Sequence, residues 1–435
     1  MSKLLNDNSR CNVKGLFSVS PMLFFILLFI FIFLLTGNIY KISLSVVFTI
    51  SSVYALYTLK NRNITERIKV FSRGAGQENL MLMLWIFVLA GAFAQTAKDI
   101  GAIDAVVRVA LHFLPSHLIL AGLFVTACFV SLSIGTSVGT VAALVPIATG
   151  IATSTGQPTA MLVAAVVGGA FFGDNLSFIS DTTIASTKTQ GCELKDKFKA
   201  NFLIVLPAAI ITVIIYIFTN SQSQYSTEIT AIDYIKMLPY IIILVSAICG
   251  MNVFVVLAVG NLLSGITGMA LGVCNMEDWF VSAGNGIMSM GELIIISMLA
   301  GGMLEVIREN GGIEYIINKL SSHIHSKRGG ELIIGAMVGI TNLCTANNTI
   351  AILSVGKIAK SISTRFGINP CKAASILDTF SCVVQGLIPY GAQFLIASGL
   401  SHVQPTNILP YIYYPVIVGI TAIIGIIIRY PKKYS

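Results

Sequence analysis

Apolar runs of about 20 residues, the length that spans the hydrocarbon core of a bilayer, recur along almost the whole chain. They cover residues 16–36, 40–59, 79–97, 117–134, 137–154, 159–187, 199–219, 237–251, 253–272, 287–306, 330–344, 346–361, 371–398 and 408–429. The charged content of 11% is less than half of the roughly 25% usual in soluble domains, so this chain cannot cover a water-facing surface. Hydrophobic residues at 55% also exclude intrinsic disorder. The expected fold class is an all-α membrane protein of about 12–14 transmembrane helices. A net charge of +8 does not point to nucleic acid here, because the basic residues lie in short loops between apolar runs.

The eight cysteines form no CxxC pair, and the five histidines (112, 117, 323, 325 and 402) stand outside the strongest apolar runs, with no HExxH. Zinc sites and a disulfide scaffold are thereby disfavoured. His323 and His325 read as a solvated loop. The run from Leu16 to Leu35 is longer than a signal core, and Thr36-Gly37-Asn38-Ile39-Tyr40 offers no small-x-small cleavage site, so it reads as a retained first helix.

Lys and Arg set the orientation. The loop 60–73 holds Lys60, Arg62, Arg67, Lys69 and Arg73 against Glu66, and 188–199, 308–328, 357–372 and the C-terminal tail are basic too. Loops 220–236 and 273–286 are acidic or nearly free of basic residues. With fourteen crossings and both termini cytoplasmic, every basic loop falls on the inner face of the plasma (inner) membrane. Runs 159–187 and 371–398 are too long for one helix and each reads as a helix followed by a re-entrant turn.

The chain also resembles itself. Leu89 to Asp104 aligns without a gap on Leu299 to Glu314, with Lys98 facing Arg308, Asp99 facing Glu309 and Asp104 facing Glu314. Further on, Thr136, Thr140, Ala142 and Leu144 match Thr345, Thr349, Ala351 and Leu353, and Ile184-Ala-Ser186 matches Ile396-Ala-Ser398. The copies lie an odd number of crossings apart, which reverses direction. The expectation is an inverted repeat, 1–235 and 236–435, in one membrane unit with broken helices and re-entrant hairpins, the plan by which secondary transporters achieve alternating access.

In such transporters the site lies where helices break near the midplane. Three stretches qualify. The first, Ser131 to Thr140, contributes Thr136, Ser137 and Thr140. Its partner, Thr341 to Thr349, contributes Thr345, Asn347, Asn348 and Thr349. The third, Gly173 to Ser186, contributes Asp174, Asn175, Ser177, Ser180, Asp181, Thr182 and Thr183, after a helix in which Gly169 and Gly173 form a GxxxG. Hydroxyls, amides and freed carbonyls are hard oxygen ligands suited to Na⁺. Asp174 and Asp181 are the candidate Na⁺ ligands, since a carboxylate can hold H⁺ or Na⁺. Asp378 is a further intramembrane acid. Gln385, Pro389 and Gln393 align with Gly173, Ser177 and Asp181, so the second copy lacks the acid. The ordinary alternative is that small and hydroxyl residues serve only close helix packing.

Gly173-Asp-Asn-Leu-Ser-Phe-Ile-Ser-Asp-Thr-Thr183 resembles the signature of the NhaC-type Na⁺/H⁺ antiporters of the ion transporter superfamily, where Lys-Met-Ser-Pro-Leu more often stands in place of Asn175 to Ile179. Gly135-Thr-Ser, Pro146 and Leu377-Asp-Thr with Leu387-Ile-Pro-Tyr390 sit where that family has related motifs. The resemblance implies cation-coupled transport, with Asp174, Asn175, Ser177, Asp181, Thr182 and Thr183 as ion- or substrate-site residues. Na⁺ and H⁺ are then the coupling ions, and no cofactor is expected. The partners are membrane lipid, Na⁺ and H⁺, with a homodimer left open. The wealth of neutral hydrogen-bonding groups admits a further cargo, an amino acid or small monocarboxylate; a dicarboxylate is disfavoured because no basic side chain lies deep in an apolar run. An intramembrane aspartyl protease built on Asp174 and Asp378 lacks the Gly-x-Gly-Asp and Tyr-Asp settings, since Phe171 stands two residues before Gly173 and Leu377 precedes Asp378. A passive channel does not need the repeat, and no GxxxxGK[ST] motif provides for an ATP-driven pump.

Overall fold

A computed structural model describes residues 2–434 except 37–42, 61, 114, 179, 220–233, 250 and 322–325. Among the described residues every regular element is helical. The chain opens with α1 (Ser2–Thr36), α2 (Leu44–Thr58), α3 (Ile64–Ala75) and α4 (Glu78–Asp99). A short α5 (Ala102–Phe113) leads to α6 (Ile119–Ile134), α7 (Ser137–Thr155), α8 (Thr159–Leu176), α9 (Asp181–Gln190) and α10 (Leu194–Thr219). Next come α11 (Leu238–Ile248), α12 (Val253–Ala270) and α13 (Met276–Ser289). The last series is α14 (Gly291–Glu309), α15 (Gly312–Ser321), α16 (Lys327–Thr345), α17 (Asn348–Phe366), α18 (Pro370–Gln385), α19 (Ala392–Ser401), α20 (Pro405–Ile408) and α21 (Tyr413–Ile427).

Each apolar run thus holds a helix, and the order long helix, short helix, broken pair, helix, short helix appears in α4–α9 and again in α14–α19. Six described spans are long and apolar enough to cross a bilayer: Leu80–Asp99, Ser137–Thr155, Thr159–Gln190, Leu194–Thr219, Val253–Ala270 and Met276–Glu309. A seventh candidate, Pro405–Tyr411 with Tyr413–Ile427, bends by 53°. The outward faces are apolar, as lipid requires: Ile210, Ile214 and Phe218 of α10 and Ile420, Ile424 and Ile427 of α21 are exposed. Polar side chains, conversely, gather inside.

Several expected loops are helical. Residues 60–73 mostly form α3, whose N-cap Asn63 accepts a hydrogen bond from the Glu66 N–H. Residues 273–286 mostly form α13, which starts at an Asn275–Asp278 capping box. A Cβ on Gly91 would stand 2.4 Å from the Gly286 carbonyl oxygen, so α13 and α4 are in backbone contact, a fit only glycine permits. Loop 98–116 contains α5, and 308–328 contains α15. The expected His323/His325 loop, residues 37–40 after the expected retained first helix and most of loop 220–236 lie outside the described residues.

Contacts at the two ends of α4 fix the direction of the central helices. Arg73 bonds Glu305 and Glu309 at 3.2 Å each, Arg62 pairs with Glu309, and Gln77 donates to Glu305. The start of α4 therefore lies beside the end of α14. At the other end of α4, Ser282 of α13 donates to Asp99 at 2.6 Å. Hence α4 and the α13–α14 pair run antiparallel, and the segments following Asp99 and Glu309 leave from opposite ends of the bundle.

The pairs α6–α7 and α16–α17, which the sequence reads as successive crossings, are antiparallel helical hairpins joined by tight turns. Phe124 and Ser131 of α6 lie against Gly169 and Gly173 of α8, so these helices are parallel. Ser137, at the start of α7, meets the end of α8 at Asp174. The end of α7 leads directly to the start of α8, so α7 runs back antiparallel. The turn is tight because Gly135 takes φ 76° and Thr136 caps α7 in an extended conformation. The second hairpin repeats this with Ala346 at φ 47° and Asn347 as N-cap. Ser131 donates to the Ala170 carbonyl, and Asn342 donates to the Ser381 carbonyl at 2.7 Å, each spanning 39 residues.

Candidate cation site at the meeting of two helix breaks

Asp174 ends up buried because α8 stops inside the protein. Its two carboxylate oxygens are met by one residue: the Ser137 backbone N–H donates to Oδ1 at 3.0 Å and the Ser137 hydroxyl to Oδ2 at 2.5 Å. The carboxylate thus caps the N-terminus of α7, where unpaired N–H groups and the helix dipole favour negative charge. Gly173 permits the approach. A Cβ there would lie 2.1 Å from the Ser131 hydroxyl oxygen.

A chain of hydrogen bonds joins Asp174 to the second hairpin. Ser137 Oγ accepts from Gln393 Nε2 at 2.8 Å, Gln393 Oε1 accepts from Gln385 Nε2 at 3.0 Å, and Gln385 Nε2 also donates to the Ala346 carbonyl at 3.0 Å. Gln385 holds at the second turn the place that Asp174 holds at the first: both end their helices beside a broken pair. The geometry therefore aligns Gln385 with Asp174 rather than with Gly173, one residue away from the sequence register.

The segment after α8 closes the site from below. Thr182 and Thr183 at the start of α9 donate to the Asp174 carbonyl at 2.9 and 3.4 Å, and Ser180 and Thr182 hydroxyls are 3.0 Å apart. Asn175 donates to the Phe171 carbonyl and, at 3.5 Å, to the Tyr414 hydroxyl, while its Oδ1 is buried without a donor. Ser177 is buried and its N–H closes α8 on the Gly173 carbonyl at 2.7 Å. Asp181 is exposed in the first turn of α9, so the two acids of the motif occupy different environments. Among the described residues no three His, Cys, Asp or Glu side chains converge on one point. Any cation there is held mainly by neutral oxygens.

The other polar candidates largely satisfy one another. Thr140 bonds back to the Thr136 carbonyl at 3.0 Å. Thr345 donates to the Asn347 carbonyl, Asn347 Oδ1 accepts from the Ile350 N–H, and Asn348 Oδ1 accepts from the Thr349 N–H at 3.1 Å. A small cavity of about 40 Å³ reaches the second tip between α4 and α14; Gln77, Ser297, Gly301, Thr345, Asn347 and Tyr390 are among its lining residues.

Lys197, in the basic stretch 188–199, joins the site from outside the three expected stretches. Lys197 is fully buried, and its ammonium bonds Asp378 Oδ2 at 2.7 Å. It also donates to the Thr183 hydroxyl at 2.7 Å and the Asn175 carbonyl at 2.9 Å. Asn201 donates to the same Asn175 carbonyl and Asp378 oxygen at 2.9 and 2.8 Å. Lys197 stands in the first turn of α10, before the apolar run 199–219, yet its ammonium is buried beside the candidate site, so the lack of a basic side chain deep in an apolar run does not argue against a dicarboxylate. Asp378 and Asp174 have separate partners, where an aspartyl protease needs two carboxylates sharing one proton.

Buried ionisable groups at the breaks of a multi-pass helical bundle define a cation-coupled secondary transporter. The chain belongs to the Na⁺/H⁺ antiporter family, whose sequence model matches residues 12–221 and 223–428. It is 25% identical to the Na⁺/H⁺ antiporter NhaC of Bacillus subtilis over 82% of this chain and 85% of that one. An uncharacterized Na⁺/H⁺ antiporter of Haemophilus influenzae is 23% identical over 76% of this chain and 79% of its own. The Alcanivorax borkumensis YdaH transporter aligns in structure with a TM-score of 0.45 at 11% identity, covering 90% of this chain and 99% of that one.

Proposed function

We propose that this protein is a Na⁺/H⁺ antiporter of the plasma (inner) membrane, with both termini cytoplasmic, in which Asp174 takes up H⁺ and Na⁺ alternately. The observation that carries this is the burial of Asp174 at the tip of the first hairpin with both oxygens on Ser137 and only neutral hydrogen-bond partners. A carboxylate so placed loses one positive partner when it gains another, which is the chemistry of exchange. Na⁺ prefers hard oxygens, and the Asp174 carboxylate with the Ser137 hydroxyl supplies them. Asp181, exposed in the first turn of α9, draws cations toward the site rather than binding them in it. No cofactor takes part; Na⁺ and H⁺ are cargo.

Alternating access follows from two repeats of opposite topology, 1–235 and 236–435. Their support is the recurrence of the hairpin geometry and the antiparallel run of α4 and α13–α14. An amino acid or small monocarboxylate as cargo has less support, because most of the amides and hydroxyls assigned to it are engaged with one another.

The test is Na⁺-driven dissipation of a pH gradient in proteoliposomes. Asp174→Asn is expected to lower the rate at least tenfold at every Na⁺ concentration. Asp181→Asn is expected to raise the half-saturating Na⁺ concentration and leave the maximal rate near wild type. Exchange by Asp174→Asn at the wild-type rate would overturn the assignment, and a rate that depends on an added amino acid or carboxylate would replace Na⁺/H⁺ exchange by organic cargo.

A further inference from the structure

The Lys197 ammonium has three N–H donors, and three oxygens receive them: Asp378 Oδ2, Thr183 Oγ1 and the Asn175 carbonyl, at 2.7, 2.7 and 2.9 Å. These are charge-assisted distances. The oxygens come from α18, from α9 and from the last turn of α8, whose carbonyls have no partner within the helix. Asn201 braces two of the three, donating to the Asn175 carbonyl and to Asp378 Oδ2. A carboxylate, a hydroxyl and a freed helix-end carbonyl are the hard oxygen ligands that an alkali cation takes. The cage needs a positive charge in any case, since an unpaired buried carboxylate is costly.

We propose that this cage is a second monovalent-cation site that the chain fills with its own ammonium, so that Lys197 closes it to Na⁺ and limits the centre to one carried Na⁺. The inference rests on the Asp174 site proposed above. A tethered ammonium cannot leave with the cargo. It keeps Asp378 compensated while Asp174 is loaded and emptied, and it makes Lys197 a determinant of how many cations move per cycle.

Radioactive Na⁺ bound to the purified full-length protein is counted for wild type, Lys197→Ala, Lys197→Ala/Asp378→Asn and Lys197→Ala/Asp174→Asn. The expected counts are one, two, one and one. If Asp174 does not hold the carried Na⁺, Lys197→Ala/Asp174→Asn binds as much as Lys197→Ala, while Lys197→Ala still gains one over wild type, so that failure is distinct from failure of the cage. A folded Lys197→Ala that binds no more Na⁺ than wild type overturns the proposal. Thermal unfolding in Na⁺, NH₄⁺ and choline salts gives a second readout. A free cation in the cage restores the midpoint of Lys197→Ala toward wild type in Na⁺ or NH₄⁺ but not in choline. A variant that stays destabilised, or unfolded, equally in all three salts overturns the proposal as well.

Discussion

At Gly173 one methyl group decides how two helices meet. A Cβ there would lie 2.1 Å from the Ser131 hydroxyl and 2.3 Å from the Ser131 backbone carbon, so alanine must push α6 from α8 and carry Asp174 with it. Overpacking of this kind costs about 1–3 kcal/mol. Gly168, on the same helix, has its nearest neighbour at 3.4 Å and is a fair control. Gly173→Ala is expected to lower the unfolding midpoint in detergent and Na⁺/H⁺ exchange together, and Gly168→Ala to change neither appreciably; equal midpoints for the two would refute the packing argument. Gly173 and Asp174 were legible in the sequence, since a GxxxG and a lone acid in an apolar stretch have few uses in a membrane. Lys197 was not. It stands between exposed Lys195 and Lys199, and three alternating lysines look like a solvated loop. The signal was the helical period instead: Lys197, Asn201, Ile204, Val205 and Ala208 lie along one buried face of α10.

Among the elements, the two hairpins carry the mechanism, and hydropathy alone could not describe them. Runs 117–134 and 137–154 read as two crossings from composition, which does not say which polar groups their turn meets. The polar residues at the turns were visible, and their bonding partners were not. Gln385 illustrates this. It does not touch Asp174, yet it orients Gln393, which donates to Ser137, which donates to Asp174. Residues in one such network are not additive. Gln385→Ala and Gln393→Ala are each expected to weaken Na⁺ activation of exchange several-fold, and the double variant to be little worse than the poorer single one. Effects that multiply would show that the two amides act separately and that the second hairpin does not reach the first through them.

At the scale of the whole molecule the question is which end of the bundle each half faces. The sequence indicated opposite faces from the basic loops and from the odd spacing of the repeats. The ion pairs of Arg62 and Arg73 with the end of α14 gather loop 60–73 and the start of 308–328 at one end, and the Ser282–Asp99 bond marks the other. Asp104 in α5 and Glu314 in α15 occupy matching places in the two series and are both exposed. They are the sites at which opposite orientation can be read directly. With the native cysteines replaced, Asp104→Cys is expected to react with a membrane-impermeant thiol reagent in right-side-out vesicles and Glu314→Cys only in inverted ones. Labelling of both from one side would remove the inverted repeat; Asp174 would then need a gate supplied by some other element to see Na⁺ and H⁺ from each side in turn.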